Sequence, residues 1–153
     1  MWKKIFRYLL VILFSLLLLS SAYFFLYANS LRGVNQQIVK YYDQLKQELV
    51  KQGYRPALVV ISARRAAWHN DILTSFGAAR NSQHLKGNAL DLMVLDVNAD
   101  GSMDRKDVMI VRKILEKLIG DQGGIGTYLS EEWFWNRQMI HIDCRGKRAR
   151  WER

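Results

Sequence analysis

Cysteine is nearly missing from this chain. Cys144 is the only one in 153 residues, so no internal disulfide can form and no Cys-rich zinc site can be built. Any metal must be held by imidazole and carboxylate, and histidine is itself scarce, with three in the whole chain. Proline occurs once, at Pro56, and there is no internal repeat or low-complexity linker to divide the chain. Beyond the first thirty residues this leaves about 120 for a single folded domain, enough to bury one core. Nucleic-acid motifs are absent too. No zinc knuckle, helix-turn-helix signature or aromatic ribonucleoprotein motif accompanies the formal net charge of +9, which excludes nucleic acid as the expected partner. The basic excess instead suits an anionic surface such as phospholipid or an acidic wall polymer.

What the chain has in quantity is one apolar run. Residues 8–27 carry no charge and are rich in Leu, Phe, Ile and Val, enough to cross a hydrocarbon layer of roughly 30 Å as a helix. Trp2, Tyr23 and Tyr27 lie near its ends, and Lys3, Lys4 and Arg7 precede it, which predicts a cytoplasmic N-terminus and an exported remainder. Ser20, Ser21 and Ala22 offer a signal-peptide cleavage site, the competing reading. The run continues through Phe24, Phe25 and Leu26, long for a cleavable signal. We therefore expect an uncleaved anchor over 1–30 and a domain over 31–153.

Val34, Ile38, Tyr41, Leu45 and Leu49 recur at helical spacing and predict an amphipathic helix ending near Gly53. After Pro56 the run ALVVIS predicts a buried strand over 57–62. Residues 66–76 fit a short helix or a loop, and 89–95 predicts a second strand. A helix is expected over 105–119, with Val108, Val111, Ile114, Leu115 and Leu118 on one face. Gly120, Gly123, Gly124 and Gly126 punctuate a turn, and short strands over 125–129 and 139–143 complete the outline. Without regular βαβ alternation this is a small α+β domain, a small antiparallel sheet with flanking helices, behind one N-terminal transmembrane helix.

Two segments hold the groups suited to chemistry. SQHLKGNALD sets His84 and Asp91 seven positions apart around Gly87, and MIHID supplies His141 and Asp143. Strand alternation puts Met139, His141 and Asp143 on one face and Ile140 and Ile142 on the other, and it groups Ala89, Asp91 and Met93 likewise. If His84, Asp91 and His141 are three ligands, a fourth position stays open for water, whose pKa zinc would lower towards about 7. The competing reading makes both histidines ordinary polar residues at loop and strand ends.

SQHLKGNALDL, GGIGTY and MIHIDCRG resemble the metal-binding segments of the D-alanyl-D-alanine metallopeptidases, which share a fold with the hedgehog signalling domain and the lysostaphin-type endopeptidases. The pattern S-x-H-x-x-G-x-A-x-D is met by Ser82, His84, Gly87, Ala89 and Asp91, and the likeness covers 57–151. It implies a hedgehog-like fold with zinc on His84, Asp91 and His141. It further implies a zinc peptidase acting on peptidoglycan or its stem peptides, of the D-alanyl-D-alanine carboxypeptidase or murein endopeptidase type. The chain would then sit in a bacterial inner or cytoplasmic membrane as a single-pass protein, with its domain facing the periplasm or exterior. ISARR is similar to the family stretch whose arginine faces the substrate carboxylate, which points to Arg65, with Arg64 as the other choice. A planar guanidinium pairs bidentately with a carboxylate.

Many members of that family place a glutamate three residues, or a histidine two residues, before the last zinc ligand as general base. Here those positions hold Gln138 and Met139, neither of which accepts a proton at neutral pH. Some relatives with the same H-x-D ending lack the base too. Asp143 is then the nearest carboxylate on the strand face, either as base or as an acceptor that orients a ligand imidazole. Glu131 and Glu132, on the loop before the last strand, are further acids that a loop movement would bring in. The alternative function is a non-catalytic zinc-containing wall-binding or scaffold module.

Residues 96–107, DVNADGSMDRKD, follow the EF-hand calcium-loop pattern: Asp96, Asn98, Asp100, Ser102, Asp104 and Asp107 at positions one, three, five, seven, nine and twelve, with Gly101 at six. This predicts bound calcium, with the shorter aspartate at position twelve shifting preference towards magnesium. The other reading is an Asp-rich turn that caps the following helix through Asp104.

Overall fold

A computed structural model of the chain describes residues 2–28, 31–129 and 138–153. Glu131 and Glu132 lie outside the described residues. The apolar run is helix α1, Trp2–Ala28, whose large apolar side chains between Ile5 and Tyr23 are turned outward. Its 27 residues would extend about 40 Å, more than a hydrocarbon layer. Among the described residues it is the one helix long and apolar enough to cross a membrane.

Helix α2, Gln36–Lys51, starts where the Asn35 side chain accepts the Gln37 N–H at 2.9 Å, and it buries Ile38, Tyr41, Leu45 and Leu49. Val34, the first residue of the expected stripe, precedes the helix and packs on the core. Strand β1, Leu58–Ser62, leads into α3, Ala67–Thr74, which settles the ambiguous stretch as a short helix. Strand β2, Ala89–Val94, is followed by α4, Arg105–Ile119, and then by β3, Gly124–Tyr128, β4, Met139–Asp143, and β5, Ala149–Glu152.

The sheet has the order β1-β2-β4-β3-β5. Pairs β1–β2, β2–β4 and β3–β4 are antiparallel, as expected, but β3 and β5 run parallel, so the sheet is mixed and not purely antiparallel. The reason is topological. β4 already has a neighbour on each side, so the chain that reverses after it must dock on the free edge of β3, and there it can only run parallel. Four residues of a basic tail, ARWE, carry no apolar alternation that would have announced this strand.

Period-two alternation divides the sheet cleanly. Leu90, Leu92, Val94, Ile125, Ile140 and Ile142 are fully buried on the face covered by α2 and α4, each contributing about 1.5–3 kcal/mol by burial. Ala89, Asp91, His141 and Asp143 occupy the other face, where the site forms.

The acids of the 96–107 loop cap α4. Asp104 is its N-cap, accepting the Lys106 N–H at 2.7 Å, and Asp107 completes a capping box by accepting the Asp104 N–H at 3.0 Å. The other Asp107 oxygen accepts from Val97 and Asn98 at 2.9 and 3.0 Å. Asp96 accepts from Asp100 and Gly101, Asn98 from Asp100, and Asp100 from Ser102. The capping reading accounts for these side chains, and the calcium expectation is left without support. Asp107→Ala strips acceptors from three backbone N–H groups in a fully buried position. It is expected to lower the urea-unfolding free energy by about 3 kcal/mol.

Candidate metal centre

The local sequence delivers each candidate ligand. Ser82 caps a short 3-10 turn, Gln83–Lys86, accepting the His84 N–H at 3.3 Å. Gly87 ends the turn in the left-handed region at φ +70, where a Cβ would stand 2.3 Å from the Gly33 carbonyl oxygen. The glycine serves both the backbone conformation and the close approach of 33–35, whose Asn35 N–H donates to the Gly87 carbonyl at 2.8 Å. The chain then enters β2, and the β2–β4 register sets Asp91 directly across from His141.

His84, Asp91 and His141 are all buried and offer ligand atoms within 4.8 Å of one another. His84 Nδ1 lies 2.6 Å from the Ala63 carbonyl oxygen. A carbonyl only accepts, so Nδ1 carries the proton and Nε2 presents a lone pair. His141 Nε2 lies 3.1 Å from Asp143 Oδ2, which by the same argument leaves Nδ1 as the inward atom. His84 Nε2 and His141 Nδ1 are 3.3 Å apart, and Asp91 stands 3.1 Å from the first through Oδ2 and 2.8 Å from the second through Oδ1. A tetrahedral ion bonded at about 2.0–2.1 Å separates its ligands by about 3.3 Å. Two imidazoles and a carboxylate at this spacing fit zinc.

Without an ion, a proton has to separate these acceptors. Burial works against a charged His141, but Asp143 and Asp91 outweigh it and raise its pKa to about 9. Burial also opposes ionisation of Asp91, yet His84 and His141 hold its carboxyl well below the usual range. The same balance, with His141 and Arg145 against burial, depresses Asp143.

Asp143 is fully buried at the end of β4. Besides His141 it takes the Gly124 N–H at 3.0 Å and a two-pronged contact from Arg145, whose Nε and Nη2 lie 2.8 and 2.5 Å away. Its oxygens are occupied behind the His141 ring, away from the side where the ligand atoms meet. Arg65 is turned inward and Arg64 outward, where it lies over Gly33. The Arg65 guanidinium contacts Ser62 Oγ at 2.9 Å, Asn70 Oδ1 at 3.3 Å and Asp91 Oδ2 at 3.4 Å, while its Nε is the one buried side-chain nitrogen or oxygen without a partner among the described residues.

Three contributors escaped the sequence reading. Trp151 of β5 stacks 5.3 Å from the His141 ring, Arg145 lies 5.3 Å over Trp151, and Trp151 Nε1 donates to Tyr128 Oη at 3.1 Å. The signal was present in the glycines of GGIGTY. A Cβ on Gly124 would stand 2.3 Å from Asp143 Oδ2, and one on Gly126 would stand 2.2 Å from the Trp151 ring. Gly126→Ala should therefore push Trp151 off His141 and lower the unfolding free energy by about 1–3 kcal/mol, read as a lower urea midpoint.

His84, Asp91 and His141 open onto a cleft of about 900 Å³ whose walls include Arg65, Phe76, Tyr128, Arg145 and Trp151. A smaller hollow of about 490 Å³, lined by Gln52, Tyr54 and residues of α4, holds none of these groups. Among solved structures the chain is similar to the Serratia marcescens L-Ala D-Glu endopeptidase ChiX, with a TM-score of 0.53 and 18% identity over 77% of this chain and 87% of that one. That likeness shows the fold. No curated protein matches the chain. Over residues 28–151 the sequence matches the M15 peptidase family described as peptidoglycan L,D-endopeptidase MepK. The match runs from before α2 into β5 and takes in every residue of the buried cluster, so the chain belongs to the MepK family of M15 peptidases.

Proposed function

We propose that this chain is a zinc-dependent peptidase of the bacterial envelope that hydrolyses peptide bonds in peptidoglycan stems or cross-links. The observation that carries the reading is the convergence of two imidazole lone pairs and a carboxylate at tetrahedral spacing on the wall of an open cleft. His84, Asp91 and His141 hold the ion. Zinc, when bound, supplies Lewis acidity towards the scissile carbonyl and a water acidified enough to attack it. The Ala63 carbonyl and Asp143 fix the tautomers of the two imidazoles, so Asp143 orients His141 and is not the general base. Arg65, held by Ser62 and Asn70, presents its charge beside Asp91 to an anionic group of the substrate. Helix α1 anchors the chain with its basic end in the cytoplasm, and the domain of 31–153 works on the outer side.

A second reading rests on a specific observation. Gln138 and Met139 cannot serve as base, and Asp91 is the one carboxylate among the described residues that lines the cleft. A zinc-containing module that binds wall peptide without cutting it fits those facts. The zinc-loaded full chain in detergent, incubated with purified muropeptides and followed by mass spectrometry, separates the two. Split stem peptides establish the peptidase, and retained but uncut muropeptide at one zinc per chain establishes the binding module.

A further inference from the structure

The face of the sheet that carries Asp91 and His141 continues onto β3 as Gly124, Gly126 and Tyr128, paired across from Asp143, His141 and Met139. The first two are bare, because the Asp143 carboxylate and the Trp151 ring occupy the space their side chains would need. Tyr128 is thus the first side chain that β3 places on this face, and it lines the cleft together with His84, Asp91 and His141.

Its hydroxyl is oriented. An indole N–H can only donate, so the 3.1 Å contact from Trp151 Nε1 uses a lone pair of Tyr128 Oη and leaves the hydroxyl proton to point elsewhere. Among the described residues no acceptor takes that proton. Trp151 is itself fixed against the His141 ring and under Arg145, which is clamped on Asp143. The same stack that positions the metal ligand therefore positions the hydroxyl.

We infer that Tyr128 is a catalytic residue of this cleft: its O–H donates a hydrogen bond to the carbonyl oxygen of the scissile peptide as that oxygen gains negative charge. The phenol keeps its proton throughout, so no bond to it is made or broken. A preset donor aimed at developing charge in a site partly shielded from water stabilises the transition state more than the ground state. The inference rests on the peptidase reading of the cleft. Trp151 acts through Tyr128 as a positioning residue.

Tyr128→Phe in the zinc-loaded full chain removes one oxygen and keeps the ring. We expect unchanged zinc content, KM within about twofold, and kcat on muropeptide reduced about 10²–10³-fold, the usual effect of losing one such donor. Trp151→Phe, which keeps an aromatic ring and loses the N–H, should give a smaller fall in kcat. A phosphinic peptide that mimics the tetrahedral state should bind Tyr128→Phe weaker than wild type by a similar factor, measured by calorimetry. A kcat within twofold of wild type, or a fall in kcat accompanied by loss of zinc, overturns the inference. Should the wild type cleave nothing, the peptidase reading fails on its own. The calorimetric comparison then decides for Tyr128, and equal phosphinate affinity in the two proteins overturns its role.

Discussion

His141→Ala is expected to leave the purified protein without stoichiometric zinc and to reduce muropeptide cleavage to background. The residue stands at the centre of the site: Nδ1 is the atom facing His84 and Asp91, and Nε2 is the contact of the buried Asp143. Removing it takes away a proposed ligand and also leaves two buried carboxylates without the group between them. Asp143 retains Arg145, and Asp91 retains only the longer 3.4 Å contact from Arg65 and the His84 ring. Loss of one partner from a buried charge cluster costs about 3–5 kcal/mol, so the metal-free variant should also unfold at distinctly lower urea than the metal-free parent. His84→Ala should lose zinc equally, with a smaller fall in metal-free stability, because its outer nitrogen meets a backbone carbonyl and not a carboxylate. Metal analysis of the three proteins checks the first claim. A His141→Ala protein that keeps one zinc per chain would contradict the site.

Stripped of metal, the domain should lose stability as the solution turns alkaline. The His141 pKa is raised from 6.5 to about 9, so its contribution is complete below about pH 6.5 and disappears as pH rises through 9. That shift corresponds to about 3 kcal/mol. Asp91 and Asp143 act at the other end: both lie below the ordinary aspartate value of 3.8, so their contribution is present above it and is lost as pH falls. Metal-free stability should thus peak between about pH 5 and 6.5. Zinc changes the alkaline limb, because the ion takes the place of the proton on His141. Its affinity should climb close to tenfold per pH unit between about 6.5 and 9. Chelator competition at pH 6.5 and 8.5 measures this, and an affinity that is flat across the interval would show that no proton is displaced.

Much of the fold was legible because it rests on patterns that short stretches of chain carry. The stripe from Ile38 to Leu49, the run over 58–62, the alternation in MIHID and the α4 face each specify an element and its buried side. The candidate ligand set was legible because SQHLKGNALD and MIHID resemble a metallopeptidase family's metal-binding segments, whereas spacing alone left both histidines open to an ordinary polar role. The calcium expectation stands without support for a local reason: Asp and Asn at alternating positions suit a cation, and they suit Asx turns and a helix cap equally well. The contacts of Asp107 with Val97, Asn98 and Asp104 show the cap.

By itself the sequence determined that metal could be bound only by imidazole and carboxylate and that one apolar helix precedes one small α+β domain, which follow from composition and from periodicities of two and 3.6, properties of neighbouring residues. That His84, Asp91 and His141 are the candidate ligands is what the resemblance of their segments to a metallopeptidase family implied. Tertiary structure alone decided which nitrogen of each imidazole faces inward, that Asp143 stands behind His141, and that β5 brings Trp151 over Gly126 to hold Tyr128. Each of these depends on atoms from strands far apart in the chain meeting within hydrogen-bond distance. Registers across a sheet and the free edge left for its last strand set those meetings, and no local pattern encodes them.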